Sequence, residues 1–158
     1  MFPERGFTHG GLEVHRSKCH GYGVFATEDI AKNTPLTCFQ GDLVHRDEVE
    51  FLPRNAKRYI IRVPHDHYVN GEPYLKSIYQ KKVNILNFGV GDVINAAGSA
   101  RSSNCKLKHF TLNQYLKFVG QPRVHKAISD ASPPVPVLMA TKDVREGDEL
   151  FWNYPVHL

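Results

Sequence analysis

Apolar positions along the chain fall in short runs separated by Gly, Pro, Asn and Asp, the pattern of strands joined by turns. Strands are predicted at residues 12–16, 22–25, 36–40, 59–63, 67–69, 106–110, 135–140 and 149–153. Helical patterning is confined to 45–51, which follows Asp42, carries acidic residues early and is closed by Pro53, and to 112–119. The class predicted is mostly β. Asn70-Gly71, between apolar residues and Tyr74, is the strongest tight-turn signal, because both residues tolerate positive φ. Residues 120–136, rich in Pro and Ser, have loop composition and are expected to form a surface insertion.

One phrase is written twice. Ala26-Thr27-Glu28-Asp29-Ile30 runs on through Asn33 to Leu36, and Ala140-Thr141-Lys142-Asp143-Val144 runs on through Gly147 to Leu150. Both copies hold Ala-Thr, an Asp, a β-branched residue, a turn former and Leu at matching offsets, between apolar runs. Each reads as strand, polar turn, strand. They are expected to be scaffold, two β corners that hold the ends of the molecule together.

A length of 158 residues suits one domain with its own core. Hydrophobic residues make up 41% and aromatics 11%, which is globular, and no run approaches the roughly 18 apolar residues that a membrane span needs. No apolar signal segment opens the chain. Three widely spaced cysteines, an odd number, suit a reducing, intracellular compartment rather than a disulfide frame. They also lack paired-ligand spacing: Cys19-His20 and Cys105 with His109 make no tetrahedral set, so no metal is expected. A net charge of +4 and a pI near 9.0 lean towards acidic or polyanion-associated partners, with the densest basic stretches at 76–82 and 101–108.

Three segments carry candidate chemistry. In Gly21-Tyr22-Gly23-Val24-Phe25-Ala26, two glycines frame an aromatic before a strand and leave backbone groups bare for a ligand. No Lys-Ser/Thr follows, so a phosphate loop is not indicated. Val93-Ile94-Asn95-Ala96 precedes Ser103-Asn104-Cys105, and buried Asn side chains at such places pin loops together. Glu149-Leu150-Phe151-Trp152-Asn153-Tyr154 sets Trp152 and Tyr154 on one strand face, where core packing is the ordinary explanation.

Taken in order, these segments resemble the SET-domain protein lysine methyltransferases over residues 12–154. The resemblance implies a single catalytic domain with a β-clip fold of small curled sheets and a threaded C-terminal segment. It implies S-adenosylmethionine as cofactor, bound by Gly21, Tyr22, Gly23, Asn95 and Ala96. Tyr154 would be the catalytic tyrosine, and Trp152 with Tyr68 would line the substrate-lysine channel. By family habit the substrate is a histone tail or nucleosome, which places the chain in the nucleus; a catalytically weak module that binds peptide or chromatin is the alternative. Ala96 stands where members usually carry His, and Trp152 where they carry Phe or Tyr. No cysteine-rich segment follows Tyr154, so closing the channel is expected to fall to residues 155–158, the 120–136 insertion or a second subunit.

Overall fold

A computed structural model of the chain describes residues 2–79, 85–98, 101–120 and 133–153. Strands β1 (Leu12–Arg16) and β2 (Tyr22–Ala26) form an antiparallel pair in which Leu12 lies opposite Ala26. A second sheet sets β3 (Pro35–Cys38) and β8 (Cys105–Phe110) on either side of β9 (Val135–Ala140). A third has β4 (Asp42–His45) and β5 (Ile60–Val63) flanking β6 (His67–Asn70). Two very short strands, β7 (Asn95–Ala96) and β10 (Phe151–Trp152), pair in parallel. This is the mostly-β arrangement of small sheets that the sequence predicts.

The helices are few and short. After β4 the chain makes a 3-10 turn at Arg46–Phe51, and β6 is followed by α1 (Glu72–Tyr79). Helix α2 (Leu112–Phe118) starts at a capping box, in which the Thr111 hydroxyl accepts from the Gln114 N–H and the Gln114 side chain accepts from the Thr111 N–H. No helix among the described residues is long and apolar enough to cross a membrane.

Burial explains the layout. The apolar run of β9 is paired on both edges and nearly all of it is buried, so it is the central strand of its sheet. Val24, Leu36, Ile61, Val69, Leu138 and Trp152, drawn from all four sheets, meet in one core. A second cluster joins Cys38, Val135 and Val137 to Tyr115, whose hydroxyl donates to the Arg5 carbonyl at 2.5 Å. A third holds Val44, Val49, Ile60 and Tyr68.

Asn70-Gly71 departs from expectation. It does not turn into another strand: Asn70 ends β6, its Oδ1 accepts from the Glu72 N–H, and α1 begins there with Pro73 in its first turn. Asp42, expected ahead of a helix, opens β4 instead, and the helical piece is a 3-10 turn from Arg46. Of the 120–136 insertion, residues 121–132 lie outside the described ones, and Val135 and Pro136 already belong to β9.

The two copies of the repeated phrase pair with each other. Ile30 and Val144 exchange both backbone hydrogen bonds at 2.8 Å. Asn33 N–H donates to the Ala140 carbonyl while Gly147 N–H donates to that of Ala26, and Ala140 N–H reaches Thr34 while Ala26 N–H reaches Asp148. Side chains repeat the exchange: Asp143 accepts from the Lys32 N–H and Asp29 from the Glu146 N–H, both at 2.9 Å. Each of these bonds made by one copy is returned by the other, which is a local two-fold. Asn33 and Gly147, at equivalent places, both have positive φ, 69° and 91°, a conformation open to Asn and Gly and strained for most other residues.

Candidate functional site

The β1–β2 turn is built around Ser17. Its backbone N–H donates to the Gly21 carbonyl, and its hydroxyl accepts from the Cys19 N–H while donating to Glu149 Oε2 at 3.0 Å. Gly21 has a φ of 51° and open space where a Cβ would stand, so conformation rather than room calls for glycine there. Gly23 differs. A Cβ on Gly23 would overlap Glu149 Oε1, so its bare face admits a carboxylate of the protein itself.

Asn95 fastens this turn to the rest of the site. Its Nδ2 lies 3.0 Å from the Tyr22 carbonyl, 3.1 Å from the His20 carbonyl and 3.0 Å from Glu149 Oε1. Glu149 therefore ties Ser17 and Asn95 together across the face of Gly23. Asn104 fastens the other side: Nδ2 donates to the Glu149 carbonyl and Oδ1 accepts from the Phe151 N–H at 2.8 Å. Phe151–Trp152 is thus held between the arms of residues 95–104, since Ala97 N–H also donates to the Trp152 carbonyl and Asn104 N–H to the Phe151 carbonyl. Both asparagines pin loops, as their sequence context suggests.

Gly23→Ala tests the close approach. With Glu149 held by two partners, the added methyl is expected to lower stability by about 1–3 kcal/mol, read as a shift in the urea midpoint. Placing Glu149→Ala in the same chain should recover part of that loss; equal losses in the two backgrounds would refute the collision.

A cleft of about 580 Å³ opens beside this knot. Gly21, Tyr22, Asn95 and Ala96 line it, so four of the five residues expected to bind cofactor share one cleft, with Gly23 directly behind. His20, Arg58, Tyr59 and Asp92 add to the polar part of the wall, and motif reasoning did not find them. Trp152 is 1% exposed and packed in the main core opposite Ala96. Tyr68 lines a different cleft of about 520 Å³, with Arg46 and Lys57. Tyr154 lies outside the described residues.

The electrostatics single out one group. Asp92 is 3% exposed, and neither carboxylate oxygen has a hydrogen-bond partner among the described residues. Burial holds its carboxyl well above the usual value of 3.8. The sign of the effect on stability follows. Below the unfolded value both states are protonated and Asp92 carries no ionisation penalty. As pH rises towards the folded value the unfolded chain ionises first, so stability falls. Asp92→Asn removes that slope. Its unfolding free energy should match that of the wild type near pH 3.5 and exceed it increasingly at higher pH, by up to about 1.4 kcal/mol per pH unit. A constant offset across the range would refute the buried, uncompensated carboxyl.

The two buried thiols are inert by comparison: burial pushes Cys38 up to about 11 and Cys105 up to about 12, so neither is a nucleophile at neutral pH. Among the described residues no three His, Cys, Asp or Glu side chains converge as metal ligands would.

Residues 21–155 match the family model for the SET domain. No curated protein matches the chain. Among solved structures, the crystal structure of a Plasmodium falciparum "putative histone methyltransferase" is similar, with a TM-score of 0.55 over 94% of this chain and 96% of that one. The two are 17% identical, so the likeness is one of fold.

Proposed function

The chain belongs to the SET-domain family of protein lysine methyltransferases, and from that premise we propose that it is an S-adenosylmethionine-dependent protein-lysine N-methyltransferase acting on histone tails or nucleosomes in the nucleus. The observation that carries this reading is the cleft, in which the Gly21–Tyr22 turn and the Asn95–Ala96 strand are locked into one wall by Asn95 and Glu149. Its size, about 580 Å³, is that of a small-molecule site. The lining also fits the cofactor's chemistry: Tyr22 and Tyr59 suit an aromatic base, Arg58 suits a carboxylate, and Asp92 suits a cation.

When bound, S-adenosylmethionine supplies a methyl group activated by a sulfonium. The protein's share is binding, alignment and control of one proton. Backbone groups at Gly21, Tyr22 and Ala96, which line the cleft, would hold the ligand. Asn95 spends both Nδ2 hydrogens on the turn and Glu149, which leaves Oδ1 as the acceptor it can present. The substrate amine, with an ordinary pKa of about 10.4, must lose its proton before it can attack. A dry aromatic surrounding favours the neutral amine, and the Tyr154 hydroxyl orients its lone pair. Trp152, buried opposite Ala96, keeps water out from the core side. The net charge of +4 supports a polyanion-associated substrate.

Purified protein is expected to transfer labelled methyl from S-adenosylmethionine to lysines of histones or nucleosomes. No transfer to any lysine substrate, with no cofactor binding by calorimetry, overturns the reading. Ala96, where the family usually has His, favours the second reading, a module that binds peptide or chromatin; cofactor-independent binding of histone peptides without transfer would select it.

A further inference from the structure

Asp92 breaks a rule that its surroundings keep. Asn95, Asn104, Glu149 and Ser17 all have protein partners, whereas both Asp92 oxygens are enclosed without one among the described residues. Buried polar groups without partners are few in folded proteins, because each forfeits its hydration. The fold nonetheless makes room for this one: a Cβ at Gly71 would overlap Asp92 Oδ2, so a bare backbone lies against the carboxylate. Packing alone would be served better by an apolar residue at that place.

The position of the group gives it a use. Asp92 belongs to the 3-10 turn Gly91–Val93, immediately before the strand that carries Asn95, and it lines the same cleft. Arg58 lines that cleft too, yet no ion pair joins the two among the described residues. Among the described residues, the other titratable groups around Asp92 are the Cys38 thiol, neutral at physiological pH, and His20, Tyr22 and Tyr59 in the cleft lining. Among the described residues, therefore, no cation of the protein answers this carboxylate.

We propose that Asp92 is a specificity-determining counter-charge for a cationic ligand, so that the cleft holds positively charged S-adenosylmethionine more tightly than the neutral thioether S-adenosylhomocysteine. The inference rests on the function proposed above and deepens it. A sulfonium in the cleft stabilises the ionised carboxylate through a poorly screened medium, while the thioether offers no charge to stabilise it. Methyl transfer then removes the charge that Asp92 recognises, and the spent ligand is released more readily.

Calorimetry with both ligands, on wild type and on the isosteric Asp92→Asn, tests this. The wild type should prefer S-adenosylmethionine, and the variant should lose about tenfold of that preference, with its affinity for S-adenosylhomocysteine within about twofold of wild type. A second measurement needs no variant: in buffers of different ionisation enthalpy, wild type should release protons on binding S-adenosylmethionine and none on binding the thioether. An unchanged preference in Asp92→Asn, or equal proton release with the two ligands, overturns the role of Asp92 and leaves the cofactor reading intact. Failure of wild type to bind either ligand overturns both.

Discussion

Tyr154→Phe is expected to lower the rate of methyl transfer by about 100-fold or more while leaving the affinity for S-adenosylmethionine within about twofold, the signature of a group that acts on the reacting amine. The substitution keeps the ring and removes one hydroxyl. If that hydroxyl orients the substrate lysine, its loss leaves the amine free to rotate away from the methyl group and to retain its proton or a water. Alignment of this kind accounts for a large part of the rate in displacement reactions. Single-turnover assays with calorimetry on the same preparation separate the two quantities. A rate within a few fold of wild type would remove Tyr154 from the mechanism, and a parallel loss of cofactor affinity would make it a binding residue.

Trp152→Ala should destabilise the protein by about 3–5 kcal/mol, a large share of the total stability of a domain this size. Trp152 is the largest fully buried side chain and packs in the cluster that joins all four sheets. Its strand is only two residues long and is held at both edges by Ala97 and Asn104, so little else can take up the lost contact. The denaturant midpoint should fall sharply at unchanged slope. Trp152→Phe, which keeps an aromatic ring in the cavity, should recover most of the loss. An Ala variant with wild-type stability and no activity would instead make Trp152 a wall of the lysine channel.

Where local chemistry and tertiary context agree, the chain could be read directly. Residues 12–16 and 135–140 become β1 and β9 with the bounds expected from their apolar runs. Gly21 and Tyr22 stand at the start of one short apolar run and Asn95 and Ala96 at the end of another, and the strands bring them to one cleft. Asn70-Gly71 shows why other parts resisted. Asn and Gly serve a hairpin turn and a helix start equally well; in the fold Asn70 Oδ1 accepts from the Glu72 N–H and Gly71 lies bare against Asp92 where α1 begins. Asp92 itself looks like any turn Asp; its burial comes from Gly71 and β3, remote in sequence. Gly23 was legible as a site of close approach, but the approaching group, Glu149, lies at the far end of the chain. Arg58 carried no motif at all, since a surface arginine is informative only once a cleft has formed beside it.

The returned bonds between the two copies of the phrase also bear on how one molecule meets another. Closing the ladder within one chain joins segments roughly 110 residues apart, at an entropic cost of about 4 kcal/mol plus a constant. An interface whose two halves are interchangeable satisfies the same bonds when the halves come from different copies. Concentrated protein, loosened by mild denaturant and then returned to buffer, should therefore give a strand-exchanged dimer alongside the monomer. In that dimer the Glu149 that steadies each Asn95 would come from the other copy, and two mutually dependent clefts would share one self-complementary seam.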